Sequence, residues 1–227
     1  MAFLAGSIWL LTRTLGNSPQ ATIAGKPIEY WQAQLNSHDV VASNEALALV
    51  NSRVIPELTN AMFHDTNDSR LRILLIDGLN QLPGVQIYFI DAAGRRVQAA
   101  ETIGELGPGA KSAIPSLIQA LKGNDPAVRS AAISALGEIH SEPETIIPLL
   151  ITYLDNDSLN DEAAKALGNY GTLAKAAVPK ILPMLHAPDK DARVAAAEAL
   201  LKIDPEGYTN ATRVTEAPQT NGQALTH

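Results

Sequence analysis

Five histidines and no cysteine set the limits on what chemistry this chain can do. Without cysteine there is no disulfide framework, no thiolate nucleophile and no zinc–sulfur site. A metal would therefore have to rest on histidine and carboxylate. His38-Asp39 and His64-Asp65 are adjacent pairs at expected turns, with no His or Glu at helical i+4. His140 and His186 fall at expected helix ends, where positive charge suits the dipole, and His227 is the last residue. The carboxylate pairs Glu101/Glu105 and Asp155/Asp157 read as solvated positions, since acid–base work needs a cleft and nothing in the pattern supplies one. The serines lack a nucleophile-elbow context. Gly104-Glu105-Leu106-Gly107-Pro108-Gly109 follows an expected helix rather than a strand, so it reads as a helix-ending turn and not a phosphate cradle. Asn-x-Ser/Thr triplets at Asn67, Asn156 and Asn210 are too common to weigh. The reading is a non-enzyme without cofactor or metal.

What positions such residues must be helical. Hydrophobic residues make up 46% of the 227, but aromatics only 4%, with alanine and leucine filling the apolar share. That favours helices with small contact surfaces over sheets. The formal net charge of −7 lacks the footprint of a nucleic-acid binder. Ala2 to Leu11 is apolar apart from Ser7. Ten helical residues reach ~15 Å, about half a bilayer core. Three readings stay open for residues 1–15: a signal core, although no Lys or Arg precedes it; an anchor that begins upstream; or a plain apolar tail. The segment favours export or membrane anchoring over a cytoplasmic location, and any membrane contact would run through it alone. Asn17 to Gly25 reads as a linker, closing a segment of residues 1–26.

Self-similarity organises the rest. A β-branched residue followed by proline recurs as Ile114-Pro115, Ile147-Pro148 and Val178-Pro179, at spacings of 33 and 31. A second anchor reads Ile103-Gly104-Glu105-Leu106, Leu136-Gly137-Glu138-Ile139, Leu167-Gly168-Asn169-Tyr170 and Leu200-Leu201-Lys202-Ile203. An arginine stands eight residues before the glycine slot at Arg96, Arg129 and Arg193, and Asn160 fills that place before Gly168. Periods of this size mark stacked supersecondary units. Each unit resolves into two helices. Val128, Ala132, Ala135, Leu136 and Ile139 form a stripe of period 3.6, behind Asp125 as N-cap and Pro126 as first helical residue. Asp189 should start the corresponding later helix and Ser158 the one between. The many alanines let neighbouring helices approach closely, and a lone helix pair could not bury its stripe.

Asp125-Pro126-Ala127-Val128-Arg129, followed by Ala131-Ala132 and Ala135-Leu136-Gly137, resembles HEAT repeats, in particular the short bacterial form found in phycobilin-lyase-like proteins; it recurs from Asp189 to Leu200. The resemblance is good over residues 92–207 and reaches more weakly to residue 27, through Pro56, Arg70 and Gly78, with Asp77 in the leucine slot. It implies an all-α superhelix, an armadillo-like right-handed solenoid of antiparallel helix pairs over residues 27–207. The pattern weakens over residues 82–93, where Val85 to Ile90 stands in place of a first helix, either as a degenerate packed helix or as an exposed apolar contact. Residues 208–227 read as a polar, disordered tail. Helical-repeat iron hydroxylases carry repeated His-Glu dipeptides, and this chain has none.

In such solenoids the second helices line the concave side. Aligned positions then form two columns: Glu101, Ser134, Lys165, Glu198 and Glu105, Glu138, Asn169, Lys202. They point away from the Ala/Leu stripe, acidic toward residue 100 and mixed toward residue 200. The expected role is a binding scaffold for a protein or peptide with a basic segment, with no nucleic-acid partner. The resemblance also implies an alternative, a bilin lyase or chaperone, for which Tyr153 and Tyr170 are among the few aromatics available. Arg129 and Arg193 are expected to bond to Asp125, Asp157 or Asp189, either directly or through turn carbonyls.

Overall fold

A computed structural model describes residues 22–23, 26–37, 40–65 and 91–209. The chain divides into two compact units, Met1–Ser141 and Glu142–His227. Both are helical. The exception is a two-residue antiparallel pair in the first unit, Thr22–Ile23 (β1) with Lys26–Pro27 (β2). Arg70, Asp77, Gly78 and Val85 to Ile90 lie outside the described residues, as do the apolar segment Ala2 to Leu11 and residues 210–227.

The first unit opens with α1 (Ile28–Leu35), where Trp31 is buried and meets Tyr30 edge-on at 5.3 Å. Next, α2 (Val40–Leu49) runs through a π turn, Val50–Val54, into α3 (Ile55–His64) without a break. Val50, Val54 and Met62 carry the buried side of that run. The helical pair α4 (Ala92–Glu105) and α6 (Pro126–Ile139) is joined by a 3-10 turn, Gly107–Ala113, and by α5 (Ile114–Ala120). Pro115 is the second residue of α5, and Pro56 is the second residue of α3, inside the continuous run that follows the π turn. Asp125 caps α6 through the N–H groups of Ala127 and Val128, and the whole stripe Val128, Ala132, Ala135, Leu136 and Ile139 is buried.

The second unit comprises α7 (Pro143–Tyr153), α8 (Asn160–Asn169), a 3-10 turn (Gly171–Ala177), α9 (Val178–Ile181), a second 3-10 turn (Leu182–His186) and α10 (Lys190–Ile203). Asp189 caps α10 by accepting from the Ala192 N–H. One local expectation fails here. Ser158 does not start α8; its N–H is taken by the Asn156 Oδ1, which closes a turn first. Leu159 then turns inward, 2% exposed, and the helix begins at Asn160. Pro148 lies inside α7, which starts at Pro143. Helical geometry continues past α10 to Thr209, where the Tyr208 N–H donates to the Asp204 carbonyl.

Candidate functional site

The positions that could meet a partner are fixed by glycine. Gly104 on α4 and Gly168 on α8 occupy the same slot of the repeat, and each lets the following second helix come close. A Cβ at Gly104 would stand 2.8 Å from the Ala135 Cα; at Gly168 it would stand 3.0 Å from the Ala199 Cα. Three residues further along each arriving helix comes a charged residue. In the first unit this is Glu138, whose Oε2 fills the space that a Gly104 side chain would need. Glu101 and Glu105 flank it on α4, and all three carboxylates are exposed. Partial shielding from water, then the charges of Glu105 and Glu101, raise the Glu138 carboxyl above its ordinary range. The structure thus gathers Glu101, Glu105 and Glu138 into one like-charged group, while Ser134 is half-buried.

The second unit uses the slot differently. Lys202 lies along Gly168, its Cδ 3.6 Å from where a Cβ would be, and its Nζ donates to Asn169 Oδ1 at 3.2 Å. Lys165 pairs with Asp161 at 3.4 Å. Lys165, Asn169, Glu198 and Lys202 are all exposed. Asp161 and Glu162 are neighbours at the start of α8, and each carboxyl shifts the other. Burial alone would raise Asp161, but hydrogen bonding with Glu162 and the charge of Lys165 hold it below its ordinary value. Burial, then the hydrogen bond and charge of Asp161, raise Glu162 to about 7.

Arg129 and Arg193 bond to turn carbonyls, one of the two forms expected, rather than directly to carboxylate. Arg129 donates to the Gly123 carbonyl at 2.8 Å, and Arg193 donates to the carbonyls of Ala187 and Pro188 at 2.7 Å. Each guanidinium folds back over the turn before its own helix, where backbone acceptors are spare. Asp189 is engaged in capping, and Asp157 is exposed. The carboxylate pair forms at Arg96, which donates to Asp125 Oδ2 at 3.0 Å and to the Asp65 carbonyl at 2.8 Å. Asp65 also holds Arg95 through both oxygens, at 2.7 and 2.9 Å. Asp65 was not singled out by the sequence because its partners lie thirty residues on, beyond any helical spacing. Burial would push Asp125 up, but its bonds from Arg96, Val128 and Ala127 hold it below the usual carboxylate range.

His64 ends α3 and His140 ends α6 in the left-handed region, while His38 lies outside the described residues. Among the described residues no group of three or more His, Asp or Glu is placed to hold a metal ion. Nor is any described helix long and apolar enough to cross a membrane.

Stacked helix pairs with a recurring glycine slot and capped second helices have a match among known sequences: residues 92–161 match the description of HEAT repeats. Those residues are HEAT repeats. Its fold is similar to a solved complex of CpcE and CpcF of phycocyanin lyase from Nostoc sp. PCC7120, with 25% identity and a TM-score of 0.53. The likeness covers 86% of this chain and 70% of that one. No curated protein matches the sequence.

Proposed function

We propose that this HEAT-like array is a non-enzymatic scaffold that holds a protein or peptide partner, and that the partner presents a basic segment to Glu101, Glu105 and Glu138. The observation that carries the reading is the grouping of three exposed carboxylates, with Glu138 seated against Gly104 and its carboxyl pushed up first by burial and then by the charges of Glu105 and Glu101. Like charges held together raise the free energy of the unbound state, and a cationic side chain set among them relieves it while steering the approach. The similar solved structure is itself an assembly of two proteins, which supports a macromolecular partner. Lys165, Asn169, Glu198 and Lys202 offer a separate mixed surface on the second unit.

The test is reversal of Glu101, Glu105 and Glu138 to lysine. The helical circular-dichroism signal should persist, while capture of an arginine-rich probe peptide at low salt, and of the native partner in a pull-down, should weaken. Native-partner capture that survives the reversal at low salt places binding elsewhere. A second reading, a bilin lyase or chaperone, is supported by the likeness to the phycocyanin lyase complex. Tyr170, one of the few aromatics available to line a pigment pocket, is only 3% exposed, which counts against that reading. An absorbance change on mixing the purified protein with bilin would favour it.

A further inference from the structure

The last second helix breaks the pattern at one position. Gly104 on α4 and Gly168 on α8 lie under the backbone of an arriving helix, and Ala100 and Ala164 one turn earlier are fully buried with them. The same register on α10 reads Ala197 and Leu201, with Val194 two turns before Leu201. Here the face is open: Val194 is 45% and Leu201 50% exposed. Positions i, i+3 and i+7 make a narrow apolar stripe along one side of the helix. A leucine where the other units have glycine keeps a neighbouring backbone from approaching as closely as α10 approaches α8. The stripe instead suits a helix at ordinary side-chain spacing, ~8–10 Å between axes.

We propose that this stripe is the contact face of a homodimer, in which α10 packs antiparallel against α10 of a second copy about a two-fold axis near Ala197 and Glu198. The charges single out a second copy. Such an axis sets Val194 against Leu201 of the second copy, twice. Asp191 in the first turn and Lys202 in the last lie on the same flank of the stripe and are both exposed. The axis therefore brings Asp191 of each copy to Lys202 of the other, also twice. Arg193, on the opposite flank, is turned back onto the Ala187 and Pro188 carbonyls and does not oppose the approach. Glu198 sits near the axis and faces its own counterpart, a like-charge cost that keeps the pair weak. One helical face is also small against standard interfaces of about 1,600 Å², so the association is concentration-dependent.

Sedimentation equilibrium of the full chain from about 10 µM to about 500 µM spans the range for such a contact. A weight-average mass rising toward the dimer is expected. Leu201→Glu, and independently Val194→Lys, should hold the mass at monomer with unchanged helicity, since both side chains are exposed and support no core. Asp191→Lys should weaken the dimer about tenfold, and Asp191→Lys combined with Lys202→Asp should restore it. A monomer throughout the range, a dimer that survives both Leu201→Glu and Val194→Lys, or a charge swap that fails to restore association would each overturn the proposal. Lys202→Asp also removes the Lys202 bond to Asn169 on the proposed partner surface, but Leu201→Glu and Val194→Lys change none of the residues assigned to that surface, so these two variants test the dimer independently of it.

Discussion

Replacing Gly104 by alanine sets two effects of opposite sign against each other. In an open helix the exchange stabilises by about 1 kcal/mol, because alanine loses less backbone freedom on folding. On α4 the added Cβ would lie 2.8 Å from the Ala135 Cα and 3.1 Å from its Cβ, and would take the space held by the Glu138 carboxylate. The carboxylate can swing into water. The α6 backbone cannot retreat without opening the α4–α6 interface around Ala100, Ala132 and Leu136, all nearly fully buried. Overpacking of this kind costs about 1–3 kcal/mol, and a backbone contact belongs at the upper end. The expected net change is a loss of ~1–2 kcal/mol. Gly168→Ala makes the comparison sharper, since its nearest contacts are 3.0 Å to the Ala199 Cα and 3.4 Å to its Cβ. There the two effects should nearly cancel. Gly107→Ala isolates the remaining variable: φ is +58° and nothing lies within 4 Å of the new Cβ, so only the left-handed backbone is charged, at about 1 kcal/mol. Urea denaturation followed by far-ultraviolet circular dichroism measures all three. A Gly104→Ala variant more stable than the parent by about 1 kcal/mol would refute the claim that the slot sets the helix approach.

Three further outcomes follow from the same geometry. Leu136→Ala, at a side chain 1% exposed, should cost ~2–5 kcal/mol in a denaturant melt, and a loss below about 0.5 kcal/mol would show the packing register to be wrong. His140 holds φ 49° in the repeat position that Gly107 and Gly171 fill at 58° and 54°, so His140→Gly should raise stability by about 0.5–1 kcal/mol; a fall would mean that the imidazole contributes more than the strain costs. Glu162 binds its proton more tightly folded (about 7) than its ordinary value of 4.5, so the unfolded chain ionises first and stability falls as pH rises from about 4.5 to about 7. Glu162→Gln should therefore gain on the parent across that window in melts at successive pH values, and parallel curves would show that folding does not raise the Glu162 carboxyl.

The repeat was legible because its signals are local. Asp125 with Pro126, and Asp189 sixty-four residues later, cap helices through N–H groups two or three residues on, which spacing alone predicts. Ser158 misled for an equally local reason. Asn156 competes for the Ser158 N–H, and a turn closed by a side-chain amide does not appear in a hydrophobic pattern. The turn-carbonyl contacts of Arg129 and Arg193 were legible, but the carboxylate contacts of Arg95 and Arg96 were not. Arg96, Arg129 and Arg193 share a slot, yet one reaches carboxylate and carbonyl thirty residues either way while the others return to their own turns. Only the placement of Asp65 at the end of α3 distinguishes them.

The columns show how much of a surface a sequence can specify. Their exposure followed from the helical period, since residues opposite a buried Ala/Leu stripe must face water. Their electrostatic character did not follow from counting charges, because it depends on the glycine beneath. At Gly104 the absent side chain draws the Glu138 carboxylate in toward α4, where Glu105 and Glu101 act on it; at Gly168 the same absence seats the aliphatic stem of Lys202, and its ammonium is carried on to Asn169. The stem of a lysine covers apolar surface while its charge stays in water, whereas a carboxylate has no comparable stem and brings its charge with it. One slot thus concentrates negative charge on the first unit and disperses positive charge on the second. Adding a methyl group at Gly104 should consequently return the Glu138 carboxyl toward its ordinary titration as well as parting the helices, a shift that side-chain carboxyl NMR can follow separately from stability.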